Sequence, residues 1–167
     1  MNLIYLDIDG VLTNRQDNCM LFECKPEDYR LSQYNVSNLK RVIKQTHAVI
    51  ILSTSWRNYP EGHTFQNSKG WEYSSLMDDV KRHFGTSIIG SAPHIDGSDK
   101  LNDIIESMLT VTHENSIDKI AVLDDDPSQG LEWLNRRGPA YIHWFRTMKD
   151  TGLDDKVRDN LIYFFNN

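Results

Sequence analysis

The stretch Leu3-Ile4-Tyr5-Leu6-Asp7-Ile8-Asp9-Gly10 decides how the rest of the chain is read. Four consecutive apolar residues suit a strand buried on both faces, as in a parallel sheet, and the run stops at an acid. Asp7 and Asp9 alternate with Ile8, so along an extended chain their carboxylates lie on the same side. Gly10 then permits a turn or a close backbone approach. Two further apolar runs behave alike: Ala48 to Leu52 stops at Ser53, and Ile120 to Leu123 stops at Asp124.

Between these runs the apolar period changes to that of a helix. Ser37 to Gln45 places Leu39, Val42 and Ile43 on one face, with Ser37 as N-cap. Ser75 to Phe84 and Lys100 to Leu109 carry the same spacing, the second capped by Ser98 or Asp99, with a short strand at Ile88-Ile89 between them. After Asp126, Gln129 to Asn135 reads as a brief helix, Ala140 to Trp144 as a strand and Asp154 to Phe165 as a closing helix. Alternating strands and helices predict an α/β fold, a mainly parallel sheet covered on both faces. Ligands of such sheets bind outside the carboxyl ends of the strands, where the polar residues ending the three runs converge.

At 167 residues the chain fits a single domain, residues 1–167, with a core large enough to need neither disulfides nor a structural metal. Its 39% hydrophobic and 25% charged residues are ordinary for a globular protein. The negative mean hydropathy argues against a membrane-embedded protein. The opening Met1 to Leu6 is too short for an export signal, so a cytoplasmic protein is expected. Cys19 and Cys24 lack the paired spacing of a zinc site. A net charge of −6 speaks against a broad nucleic-acid-binding surface, though a few basic residues suffice to hold one phosphorylated end.

Asp7 and Asp9 end one predicted strand, while Asp124, Asp125 and Asp126 end another. Acids at strand ends often cap helices or turns. Two clusters at one pole of a sheet also repel, and a hard divalent cation held by oxygen ligands would offset that, magnesium being the natural candidate. An EF-hand is excluded, because Asp7-x-Asp9-Gly10 lacks the third acid before the glycine and the closing glutamate.

Leu6-Asp7-Ile8-Asp9-Gly10-Val11-Leu12 resembles the first motif of the haloacid dehalogenase (HAD) superfamily. The run into Ser53-Thr54-Ser55 resembles its second motif, Lys100 at a helix start its third, and Val122-Leu123-Asp124-Asp125 its paired-acid fourth. Ser53-Thr54-Ser55-Trp56-Arg57, taken with the later acidic triplet, is similar to a branch associated with RNA-repair proteins. The resemblance implies a Rossmann-like three-layer α/β/α sandwich and a magnesium-dependent phosphatase. Asp7 would be the nucleophile and Asp9 the proton shuttle. Asp7, the Asp9 carbonyl and Asp124 or Asp125, the latter favoured, would hold the metal. Ser53 or Thr54 would donate to a phosphate oxygen, Lys100 would neutralise phosphoryl charge, and Arg57 would clamp the substrate phosphate.

Selectivity in that superfamily comes from cap insertions. Here Thr13 to Val36 is short and Asn58 to Gly97 holds one helix, so no full cap domain is expected. A lid insertion at about 58–97, best placed at Tyr59 to Tyr73, is the candidate cover. An open site suits a phosphate on a large molecule, such as a nucleic-acid end. The alternatives are a nucleotidase acting on free mononucleotides and a non-catalytic phosphate- or protein-binding domain. Retention of Asp9, which binding alone does not require, speaks against the second. A receiver-type signalling domain places its phosphorylated Asp at an internal strand, not the first.

Overall fold

The computed structural model describes residues 1–15, 30–54, 69–93, 99–114 and 116–167, with the backbone alone for 69–75 and 113–114. Strands β1 (Asn2–Leu6), β2 (Val49–Leu52), β3 (Ile88–Ser91), β4 (Lys119–Asp124) and β5 (Ile142–Arg146) alternate with helices α1 (Gln33–Thr46), α2 (Lys69–Phe84), α3 (Lys100–Glu114) and α4 (Glu132–Arg137), and α5 (Asp155–Asn166) closes the chain. The five strands form one parallel sheet in the order β3-β2-β1-β4-β5. The expected α/β architecture is what the chain adopts.

Burial on both faces explains why the strands read as unbroken apolar runs. Ile4, Leu6, Ile50, Leu52, Ala121 and Leu123 point to one face, where they pack with Val36, Leu39 and Val42 of α1, Leu76, Val80 and Phe84 of α2, and Leu161 and Phe165 of α5. Leu3, Tyr5, Ile51, Ile120 and Val122 point to the other, against Ile104 and Met108 of α3 and Leu134 of α4. Alternation along each strand thus feeds two cores, and each fully buried Leu or Ile contributes about 1.5–3 kcal/mol.

Several element ends differ from expectation. The N-cap of α1 is Ser32, not Ser37: its side chain accepts from Asn35 N–H, and the helix begins at Gln33. Ser37 lies inside the helix on its exposed face. Asp99 caps α3, its Oδ1 accepting from Asn102 N–H at 3.0 Å, while Ser98 lies outside the described residues. The α2 backbone is helical from Lys69. Strand β5 runs to Arg146, two residues past its expected end, because its ladder with β4 continues to the pair Asp124 and Arg146. Within 58–97, the described residues 69–93 carry α2 and the edge strand β3, which pairs with β2.

The strand order positions the site. The chain builds outward from β1 through β2 to β3, then crosses back to lay β4 on the other side of β1. The crevice at this reversal lies between the carboxyl ends of β1 and β4, where Asp7 and Asp124 sit. Among the described residues no helix is long and apolar enough to cross a membrane.

Candidate active site

Each strand end contributes in register. Asp7 follows β1 directly, and its N–H donates to Leu123 O at 3.0 Å, so the β1–β4 ladder carries the carboxylate to the edge of the sheet. Asp124 is the last residue of β4, and Asp125 follows it. Asp7, Asp124 and Asp125 are all buried and each offers a carboxylate oxygen within 4.8 Å of the others. Ser53 follows β2 with its N–H on Leu6 O at 2.8 Å. Both Ser53 and Thr54 are buried, and Ser53 Oγ has no hydrogen-bond partner among the described residues.

Lys100, the first residue of α3, reaches into this cluster. Its ammonium donates to Asp7 Oδ2 at 2.9 Å and to Asp124 Oδ2. Burial alone would lower the Lys100 pKa, but the charges of Asp7 and Asp124 together raise it, so the ammonium stays charged. Burial, then the Asp7 charge, pushes the Asp124 carboxyl up to about 6 against the opposing pull of Lys100. Burial also raises Asp125, outweighing Lys149, whose Nζ is 3.8 Å from Asp125 Oδ2. That oxygen is buried without a hydrogen bond from any described residue. With all four groups ionised, the three carboxylates exceed the Lys100 ammonium by two negative charges. A buried, under-compensated set of hard oxygen donors fits a divalent cation such as magnesium.

Gly10 makes this approach possible. It has a φ of +65°, and a Cβ built on it would lie 2.4 Å from Asp125 Cγ. The backbone after the first two acids therefore rests directly on the Asp125 carboxylate, just past β4. Gly10→Ala is expected to cost about 2–4 kcal/mol, combining left-handed strain with the displacement of a buried side chain. Thermal unfolding would show a fall of several degrees; an unchanged melting temperature would mean that Asp125 yields freely.

The family model for the HAD domain in Swiss Army Knife RNA repair proteins matches residues 3–157. The chain belongs to that family. Membership implies phosphatase-type chemistry, and HAD domains generally use magnesium. No curated protein matches the chain.

In this HAD domain, Asp7, Lys100, Asp124 and Asp125 come together as neighbours, with Ser53 and Thr54 at the next strand end. Asp9 is half-buried in the turn after Asp7, with Thr13 Oγ1 at 3.5 Å from its Oδ1. Arg57 and Trp56 lie outside the described residues, as does most of Tyr59 to Tyr73. Asp126 takes the capping role: it accepts from Ser128 N–H at 2.8 Å and from the Gln129 amide at 3.0 Å, and the Gln129 bond leads in holding its carboxyl down at about 2.

Supporting residues escaped the sequence reading. Thr147, buried beyond β5, donates from Oγ1 to Gly10 O at 2.6 Å and from its N–H to Asp124 O at 3.1 Å, tying the first and fourth strand ends together. Gln129 Oε1 accepts from Lys100 N–H at 3.2 Å. Gly10 N–H donates to Thr13 Oγ1 at 3.2 Å, fixing the turn that carries Asp9. A strand drawn to its true end at Arg146 would have flagged Thr147 as a fourth strand-end residue.

Proposed function

We propose that the protein is a magnesium-dependent phosphomonoesterase that forms a phospho-aspartate on Asp7 and acts on a phosphorylated nucleic-acid end, with the cytoplasm as its setting and residues 1–167 as one domain. The observation that carries the reading is the pairing of buried Asp7 with Lys100, opposite Asp124 and an Asp125 oxygen left without a hydrogen bond.

Asp7 attacks phosphorus through a carboxylate oxygen, and the bond from phosphorus to the substrate oxygen breaks. Asp9 gives its proton to that leaving oxygen, then takes one from the water that attacks the acyl phosphate and releases inorganic phosphate. Lys100 holds the Asp7 carboxylate in place and meets the charge gathering on the phosphoryl oxygens. Ser53, with its unspent hydroxyl, or Thr54 donates to one of those oxygens, and Arg57 is the proposed clamp. Magnesium, held by Asp7, the Asp9 carbonyl and Asp125 or Asp124, would reduce repulsion between the anionic nucleophile and the phosphate.

The test is phosphate release from an aryl phosphate, mononucleotides and 3′- or 5′-phosphorylated oligonucleotides, with and without magnesium. Magnesium-dependent release favouring oligonucleotides is expected. Preference for mononucleotides would make the protein a nucleotidase, and no release from any substrate would leave a binding domain.

The raised Asp124 carboxyl adds a signed pH dependence. In the metal-free protein the folded state holds this proton from pH 3.8, where the unfolded carboxyl loses it, up to about 6. The stability it contributes is therefore present at low pH and lost as pH rises through that window. A cation must displace the proton, so millimolar magnesium should raise the melting temperature more at pH 7.5 than at pH 5. Equal shifts at both pH values would remove these acids from the ligand set.

A further inference from the structure

The turn after β5 is bound to both acid-bearing segments. Besides the two Thr147 bonds, Leu153 N–H donates to Val11 O at 2.9 Å and Arg15 N–H to Lys149 O at 3.0 Å, while Gly152 N–H closes the turn itself on Met148 O at 2.7 Å. Lys149 and Arg15 thus stand on hydrogen-bonded neighbouring backbones. Their side chains are 62% and 73% exposed, and among the described residues each has its nearest carboxylate only at 3.8 Å, Asp125 for Lys149 and Asp150 for Arg15. Both distances are beyond hydrogen bonding. A chain of net charge −6 therefore carries two exposed, weakly engaged cations on adjoining backbones, Lys149 next to Asp125 of the acidic pocket. Two exposed cations carried on adjoining backbones suit a polyanion with repeated charges.

We propose that Lys149 and Arg15 form a cationic rim that binds the phosphodiester next to the terminal phosphate of a nucleic-acid strand, and so favours polynucleotide ends over small phosphate esters. This rests on reading the pocket as a phosphatase site for nucleic-acid ends. A nucleic acid repeats its charge at every residue beyond the terminal phosphate, which suits two cations outside the pocket; a phosphopeptide carries one phosphate and no such repeat. The rim residues are specificity-determining, distinct from the groups that meet the scissile phosphate.

The experiment compares the parent with Arg15→Gln, Lys149→Gln and the double variant. One arm measures kcat/KM on a phosphorylated oligonucleotide and on an aryl phosphate. The other measures binding of a fluorescent phosphorylated oligonucleotide at several salt concentrations, each variant being made also in an Asp7→Asn background. The ratio of oligonucleotide to aryl phosphate kcat/KM is expected to fall about tenfold in the double variant, mainly through KM. The slope of log affinity against log salt should flatten by about 0.7 for each cation removed. An unchanged ratio and slope, equal loss on both substrates, or a phosphopeptide bound as tightly as the oligonucleotide would overturn the rim. Phosphate release without rim-dependent binding sinks the rim and leaves the phosphatase. Rim-dependent binding without release from any substrate does the reverse.

Discussion

Asp7→Asn is expected to lower phosphate release by about 10⁴-fold or more, the scale seen when a catalytic nucleophile is removed, while the protein stays folded. The asparagine oxygen is too weak a nucleophile to form an acyl phosphate. The surrounding structure gives little reason for collapse. Asp7 N–H still donates to Leu123 O, and an amide oxygen can replace Asp7 Oδ1 as the acceptor for Ile8 N–H at 2.9 Å. Lys100 loses one partner and keeps Asp124. Neutralising one of three crowded carboxylates also relieves repulsion, so the metal-free variant should melt within a few degrees of the parent. Initial rates on an aryl phosphate, beside a thermal melt, decide the matter. Parent-like turnover would move the nucleophile elsewhere, whereas loss of turnover with an intact melt isolates chemistry from folding.

The parts of this protein legible in its sequence are those governed by local rules. Apolar runs at Leu3 to Leu6, Ala48 to Leu52 and Ile120 to Leu123 announce buried strands because both faces of the sheet are covered. The acids ending β1 and β4 could be read as one cluster because parallel strands bring their carboxyl ends to one edge. What stayed hidden depends on pairings distant in sequence. Ser37 fits an N-cap by composition as well as Ser32 does, and only the bond from Asn35 N–H distinguishes them. The end of β5 is set by its ladder with β4 and not by its own apolar content, so nothing local in the sequence brings Thr147 or Lys149 to the sheet's edge. Asp124, Asp125 and Asp126 look equivalent as letters. They part only in space, into a Lys100 partner, a carboxylate with an unsatisfied oxygen, and a cap for the turn Pro127–Gln129.

Lys100→Ala separates the two kinds of positive charge this site requires. Removing the ammonium leaves Asp7 and Asp124 buried without the partner each now has, a loss expected to cost about 2–4 kcal/mol in chelator at neutral pH. The cost should shrink toward pH 5, because Asp124, already raised to about 6 with Lys100 present, then takes up a proton instead. Added magnesium should recover most of the lost stability, since either cation can offset the same carboxylates. Turnover should remain down by about 10²–10³-fold even at saturating magnesium, because a metal held by the acids does not replace the ammonium that the proposed mechanism sets against the phosphoryl oxygens. Melting temperature and kcat are therefore measured in chelator and in magnesium, for parent and variant. Recovery of both by magnesium would reduce Lys100 to a counter-ion for the acids. Recovery of stability alone would make it a group that acts on the reacting phosphate, for which the metal cannot substitute.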